Sequence, residues 1–114
     1  MKATASELLH SLPGRVTEKW PLGERFGSAM RHGSMSVELY APVGADPQTP
    51  HTQDELYFIH SGTGVLVIAG DRHPFEPGTC FFVPAGVEHN FEHFSPNFST
   101  WVVFWGPAGG ESVA

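Results

Sequence analysis

From Arg15 to Gly106 the chain is cut every few residues by Gly or Pro, and the pieces between are β-prone: RVTEKW, FGSAMRHG, SMSVELYAP, LYFIHSG, GVLVIAG, HPFEPG, CFFVPAG, HNFEHF and STWVVFWG. Short runs at that spacing predict an antiparallel sandwich or barrel. With 13 Gly and 10 Pro in 114 residues, the composition suits a compact, turn-rich chain better than a helical bundle, and the length allows one domain. Ahead of these runs, Thr4 to Glu7 (TASE) reads as a capping box. Leu8, Leu9 and Leu12 give a short apolar stripe, and Pro13-Gly14 ends it. The organisation expected is a helix and β arm over 1–33, a barrel over 34–105 and a flexible tail over 106–114.

The formal charge is −6, with only six Lys and Arg. No basic stripe is available for phosphates, so nucleic acid and anionic membrane surfaces are poor partners. A small-molecule ligand and a second copy of the chain remain, and the arm before Ser34 is expected to contribute to a homodimer because exposed strand edges invite pairing. The single Cys80 cannot form an internal disulfide, lacks the partners of a zinc–thiolate site, and is expected to be a buried small apolar residue. The N-terminal stretch has no apolar core of a secretion signal, and no run approaches the ~20 apolar residues of a membrane span. A cytoplasmic location is the expectation.

Two stretches carry chemistry. In PHTQDE, residues 50 to 55, His51 and Glu55 stand four apart just before an apolar run. In GTCFFVPAGVEHNFEH, residues 78 to 93, a strand ends at Val83, Pro84-Ala85-Gly86 makes a stiff turn, and His89 opens the next strand. Strand alternation places His51, Gln53, Glu55 and Tyr57 on one face, and His89, Phe91 and His93 on another. Where two such faces meet inside a barrel, two imidazoles and one carboxylate form a facial triad of the kind that holds non-haem Fe, and the same donors suit Zn, Ni, Mn or Cu. A lone His in a β protein is ordinarily structural or surface-bound. His10, His32, His60 and His73 take that reading, and only the pairing of two segments lifts His51, Glu55 and His89 above it.

These stretches resemble the paired signature of the cupin superfamily, small double-stranded β-helix barrels. Gly78, Pro84, Gly86 and His89 match the second motif, G-x5-P-x-G-x2-H-x3-N, at every spacing, with His93 in place of the closing Asn. In the first motif, Glu55 and Gly62 keep the E-x6-G spacing and His51 takes the second His position, while Thr49 stands where the first His belongs. The resemblance covers about residues 34 to 105. It implies an all-β cupin-like jelly-roll barrel, frequent dimers, and a metal site of three His and one Glu, of which His51, Glu55 and His89 carry over. Gln53 is an alternative neutral donor through its amide oxygen. His93 is a third imidazole or a nearby base, and Tyr57 is a polar contact or a core tyrosine bonded to backbone.

The function expected is that of a metal-dependent enzyme on a small organic substrate, with dioxygenase-type oxidation first. His51, Glu55 and His89 would hold a divalent metal, and His93 and Tyr57 would act on the substrate. A sugar isomerase or epimerase is a second reading, weakened because no Lys or Arg lies within the two motifs. A non-catalytic ligand-binding module is a third, since fold resemblance does not choose a reaction.

Overall fold

The computed structural model describes residues 1–113. A helix, α1 (Ala5–His10), precedes eight strands: β1 (Phe26–His32), β2 (Met35–Tyr40), β3 (Asp54–Ser61), β4 (Gly64–Ile68), β5 (Asp71–Phe75), β6 (Cys80–Val83), β7 (His89–Glu92) and β8 (Ser99–Trp105). Thr4 caps α1 as its hydroxyl accepts the Glu7 N–H at 3.2 Å. The helix lies over the β1–β2 hairpin, with Leu8 against Gly27, where no Cβ holds it away.

The strands form a five-stranded sheet, ordered β1-β2-β8-β3-β6, and a three-stranded one, β5-β4-β7. Every pairing is antiparallel. Tyr40, Tyr57, Ile59, Leu66, Phe75, Val83, Phe91, Phe98 and Val102 fill the space between the sheets as one core. Burying each large side chain contributes roughly 1.5–3 kcal/mol. The rings of Phe75, Phe91 and Phe98 meet at centroid distances of 4.7–5.7 Å, within the range where aromatic pairs add to burial. This is the all-β barrel expected, and its register decides the site. Glu55 is opposite Phe104 and Val83, while Tyr57 is opposite Val102 and Phe81, so both point inward beside small and aromatic neighbours.

Four sequence expectations change. RVTEKW is not a strand: Thr17 and Trp20 exchange backbone hydrogen bonds in a tight loop, which turns Trp20 toward the barrel. The boundary expected between residues 33 and 34 falls in the β1–β2 turn, at Gly33 with φ 58°, so the arm's second half is an edge strand of the barrel sheet. The tail is tied down at Gly109, whose N–H donates to the Thr52 carbonyl, and at Glu111, whose N–H donates to Asp54; Ala114 lies outside the described residues. Cys80 is exposed, because it shares β6's outward parity with Phe82. Among the described residues no helix is long and apolar enough to cross a membrane.

Candidate metal centre

The two motif segments are joined by hydrogen bonds before any metal is considered. The Gly86 N–H donates to the His51 carbonyl at 2.7 Å, and the Ala85 N–H donates to the Asp54 carboxylate at 3.0 Å. The stiff turn after β6 is thereby fastened to the start of β3. Asp54 also receives the Glu111 N–H at 2.9 Å, and these backbone donors hold its carboxyl below the usual range. Val87 N–H closes the turn on Pro84, and two residues later His89 enters β7 facing inward.

His51, Glu55 and His89 therefore converge, with one donor atom from each within 4.8 Å of the others. Glu55 Oε1 is 2.9 Å from His89 Nε2, and Oε2 is 3.9 Å from His51 Nε2. These separations bracket the roughly 3.3 Å expected between neighbouring donors about 2 Å from one tetrahedral ion. Glu55 and His89 are buried, and His51 is half-buried with its ring 4.6 Å from that of Phe104.

The electrostatics call for a cation. His89 Nδ1–H donates to the Val87 carbonyl at 2.8 Å, so a neutral ring turns the lone pair of Nε2 toward Glu55. Despite the 2.9 Å approach, Glu55 Oε1 is buried without an aligned hydrogen bond. A buried carboxylate oxygen in that state costs several kcal/mol, roughly, unless positive charge meets it. A proton on His89 or a divalent ion supplies that charge, and the donor set fits a metal. Burial lowers the His89 pKa, but the nearby Glu55 carboxylate and the hydrogen bond to Val87 outweigh it and the net shift is upward. Burial lowers that of His51 against the opposing charge of Glu55, leaving its imidazole disposed to act as a neutral donor.

Tyr57 lies beside the triad: its O–H is 3.1 Å from His89 Nε2 and donates to Gln48 Oε1 at 3.0 Å. Burial, then the charge of Glu55, raises its pKa well above the ordinary phenol, so it keeps its proton. Gln53 does not join. Its amide N–H group donates to the carbonyls of Gly106 and Ser34 at 2.9 and 3.2 Å, and it bridges the β1–β2 turn and the end of β8. His93 is also excluded, because β7 ends at Glu92 and His93, at φ 50°, turns the chain and leaves its side chain exposed. It borders a groove of ≈ 750 Å³ lined also by Val67, His89 and Asn90. His93→Asn is therefore expected to leave metal content unchanged and stability within about 0.5 kcal/mol, measured by elemental analysis and thermal unfolding; a metal-depleted variant would return the residue to the site.

Sequence reasoning missed the groups behind the centre. Asp46 accepts from Tyr40 O–H, from Phe91 N–H at 2.8 Å and from Gln48 Nε2. Gln48 Oε1 is thereby aimed at Tyr57 and lies 3.4 Å from His51 Nε2. Glu38 and Trp20 line a cavity of ≈ 370 Å³ that ends on His51, Glu55 and Tyr57. Glu38 had a readable signal, since in SMSVELYAP it alternates in phase with Tyr40.

A barrel of this topology with an inward His-Glu-His set places the chain among known proteins. The cupin domain family matches residues 36–104, and the chain belongs to that family. It is 41% identical over 80 residues, 68% of this chain and 76% of the relative, to the uncharacterized protein SCO3923 of Streptomyces coelicolor. A Cupin 2 conserved barrel domain protein from Salinispora arenicola superposes with a TM-score of 0.65 at 19% identity, covering 93% of this chain and 87% of that one. KdgF from Halomonas sp. superposes with a TM-score of 0.63 at 13% identity, covering 70% of this chain and 76% of that one. At those identities the structural likeness speaks for the fold.

Proposed function

We propose that the protein is a metal-dependent enzyme acting on a compact organic substrate, with dioxygenase-type oxidation as its reaction. The observation that carries this reading is the buried Glu55 oxygen without a hydrogen bond, set between two imidazoles at the end of a ≈ 370 Å³ cavity. His51, Glu55 and His89 would hold the divalent metal, with Fe suited to oxidation and Zn, Ni, Mn or Cu to the same donors. When bound, the metal supplies sites for O₂ and for a chelating substrate oxygen.

The chain's own residues do the rest. Tyr57, protonated and oriented by Gln48, presents its hydroxyl oxygen beside the triad and can accept a hydrogen bond from a substrate hydroxyl there. Asp46 fixes the Gln48 amide so that its oxygen rather than its nitrogen faces the centre. Phe104, Val102 and Trp20 line the approach and limit water. The lining holds Glu24, Glu38 and Glu55 against Lys19 alone, which disfavours a phosphorylated sugar. The reading is tested by oxygen uptake of Fe(II)-loaded protein over a panel of small organic substrates. Uptake should require the metal and vanish in Glu55→Gln; protein that takes up no metal, yet binds a small ligand in the cavity, would make it a non-catalytic module.

The cytoplasm and a homodimer complete the proposal. The outer face of the five-stranded sheet supports the second, because Phe58, opposite Trp101, and Phe82, beside Trp105, are 44% and 51% exposed and an apolar patch of this kind commonly marks an interface. Sedimentation of the wild type should give a dimer, and of Phe82→Glu a monomer; a monomeric wild type would refute it.

A further inference from the structure

The cavity has a second end that the metal reading does not use. Opposite His51, Glu55 and Tyr57 it is lined by Trp20, Phe26, Tyr40 and Glu38. Trp20 lies 6.1 Å from Phe26 and 6.2 Å from Tyr40, the planes meeting at 65° and 79°. The rings thus form a corner rather than a stack. Tyr40 is held in it by the bond of its hydroxyl to Asp46.

Glu38 completes that corner. It and Tyr57 are both paired with Val102 of the strand between them, so two strand spacings separate their Cα atoms, about 10 Å. The small valine between leaves the space that makes the cavity. Glu38 accepts no hydrogen bond and makes no ion pair among the described residues. Lys19, the one basic residue of the lining, is exposed. Burial and the charge of Glu55 push the Glu38 pKa up to about 7 against the pull of Arg31, so a cation seated beside it favours the ionised form. An unpaired carboxyl among aromatic rings, with Glu24 also in the lining, thus matches a cation, which gains both from the carboxylate and from ring quadrupoles.

We propose that this end of the cavity seats a cationic nitrogen of the ligand, an ammonium group held by Glu38 within the Trp20, Phe26 and Tyr40 corner, while the ligand's other end reaches the His51-Glu55-His89 centre. The inference rests on the reading of that centre as a metal site and adds the charge class of the substrate to it. Side chains that rise from strands two spacings apart suit a compact ligand of a few non-hydrogen atoms between them.

The test uses choline and its neutral carbon isostere, 3,3-dimethyl-1-butanol, titrated by calorimetry into the full-length protein as purified. Choline should bind at least about tenfold more tightly. Glu38→Gln, which keeps the shape and removes the charge, should reduce that preference to within about threefold, and Trp20→Leu should weaken choline more than the alcohol. Both variants should keep the wild-type metal content. Equal binding of the two probes, no binding of either at millimolar concentration, or a preference that survives both substitutions would overturn the proposal. Failure of the metal reading would look different: wild type without metal and unable to take up Zn(II), whatever its preference between the probes.

Discussion

His89→Ala should release the bound metal and leave the barrel folded. The turn that aims His89 is held independently of its side chain, by Gly86 N–H on the His51 carbonyl and Ala85 N–H on Asp54, so the backbone has no reason to follow the lost ring. One of three donors is gone, and the remaining pair, His51 and Glu55, stands 3.9 Å apart with His51 half-exposed. Affinity should fall by more than the 10–100-fold typical of losing only a supporting contact, hence on the order of 100-fold or more. Glu55→Gln should do the same with less change of volume, and it separates loss of charge from loss of packing. In the wild type, affinity should rise with pH, because His89, whose pKa is shifted upward, must shed a proton from Nε2 before it can bind. Elemental analysis with a thermal melt on the same samples checks all three; full occupancy in His89→Ala would remove His89 from the centre.

Gly62→Ala should be the most destabilising single change in the first motif. Gly62 has φ 85°, and a Cβ there would lie 2.6 Å from Phe98 Cα and 2.9 Å from Phe98 N. Phe98 is itself buried in the core, and backbone cannot swing aside as a side-chain tip can. Left-handed strain of about 1–2 kcal/mol and the enforced shift together should cost roughly 3 kcal/mol or more, lowering Tm by about 10 °C or more for a chain of this size. Gly86→Ala is the control. Its φ is 76°, but nothing lies within 4 Å of the added carbon, so only the left-handed strain remains, about 1–2 kcal/mol. Equal melting temperatures for the two variants would show that the close approach to Phe98 does not matter.

The contrast between these glycines explains how far the sequence could be read. Gly62 and Gly86 both need a positive φ, and Gly62 alone also meets a neighbouring backbone, yet the spacing of Gly, Pro, His and Glu located both. That spacing also located His51, Glu55 and His89, because turn geometry and strand parity are local properties. Parity failed at His93, where positive φ ends β7 one residue before the alternation would have carried the imidazole inward. Cys80 was misplaced for a different reason, since an aromatic-rich strand such as CFFV reads as buried on both faces until the outer face is known to be open. Asp46 and Gln48 were illegible for another reason. They sit in a loop without period, and their roles come from bonds to Tyr40, Phe91 and Tyr57, up to 45 residues away in the chain. Trp20 was hidden likewise, in a run that looks like a strand and folds as a loop.

The most direct measurement is the metal content of wild-type protein purified without chelators or added metal. If His51, Glu55 and His89 form a metal centre, elemental analysis should find close to one divalent transition-metal ion per chain, removable by chelator and restored by Zn(II) or Fe(II). Folded protein that holds no metal and takes up none would contradict it, and would leave His89 to neutralise Glu55 with a proton alone.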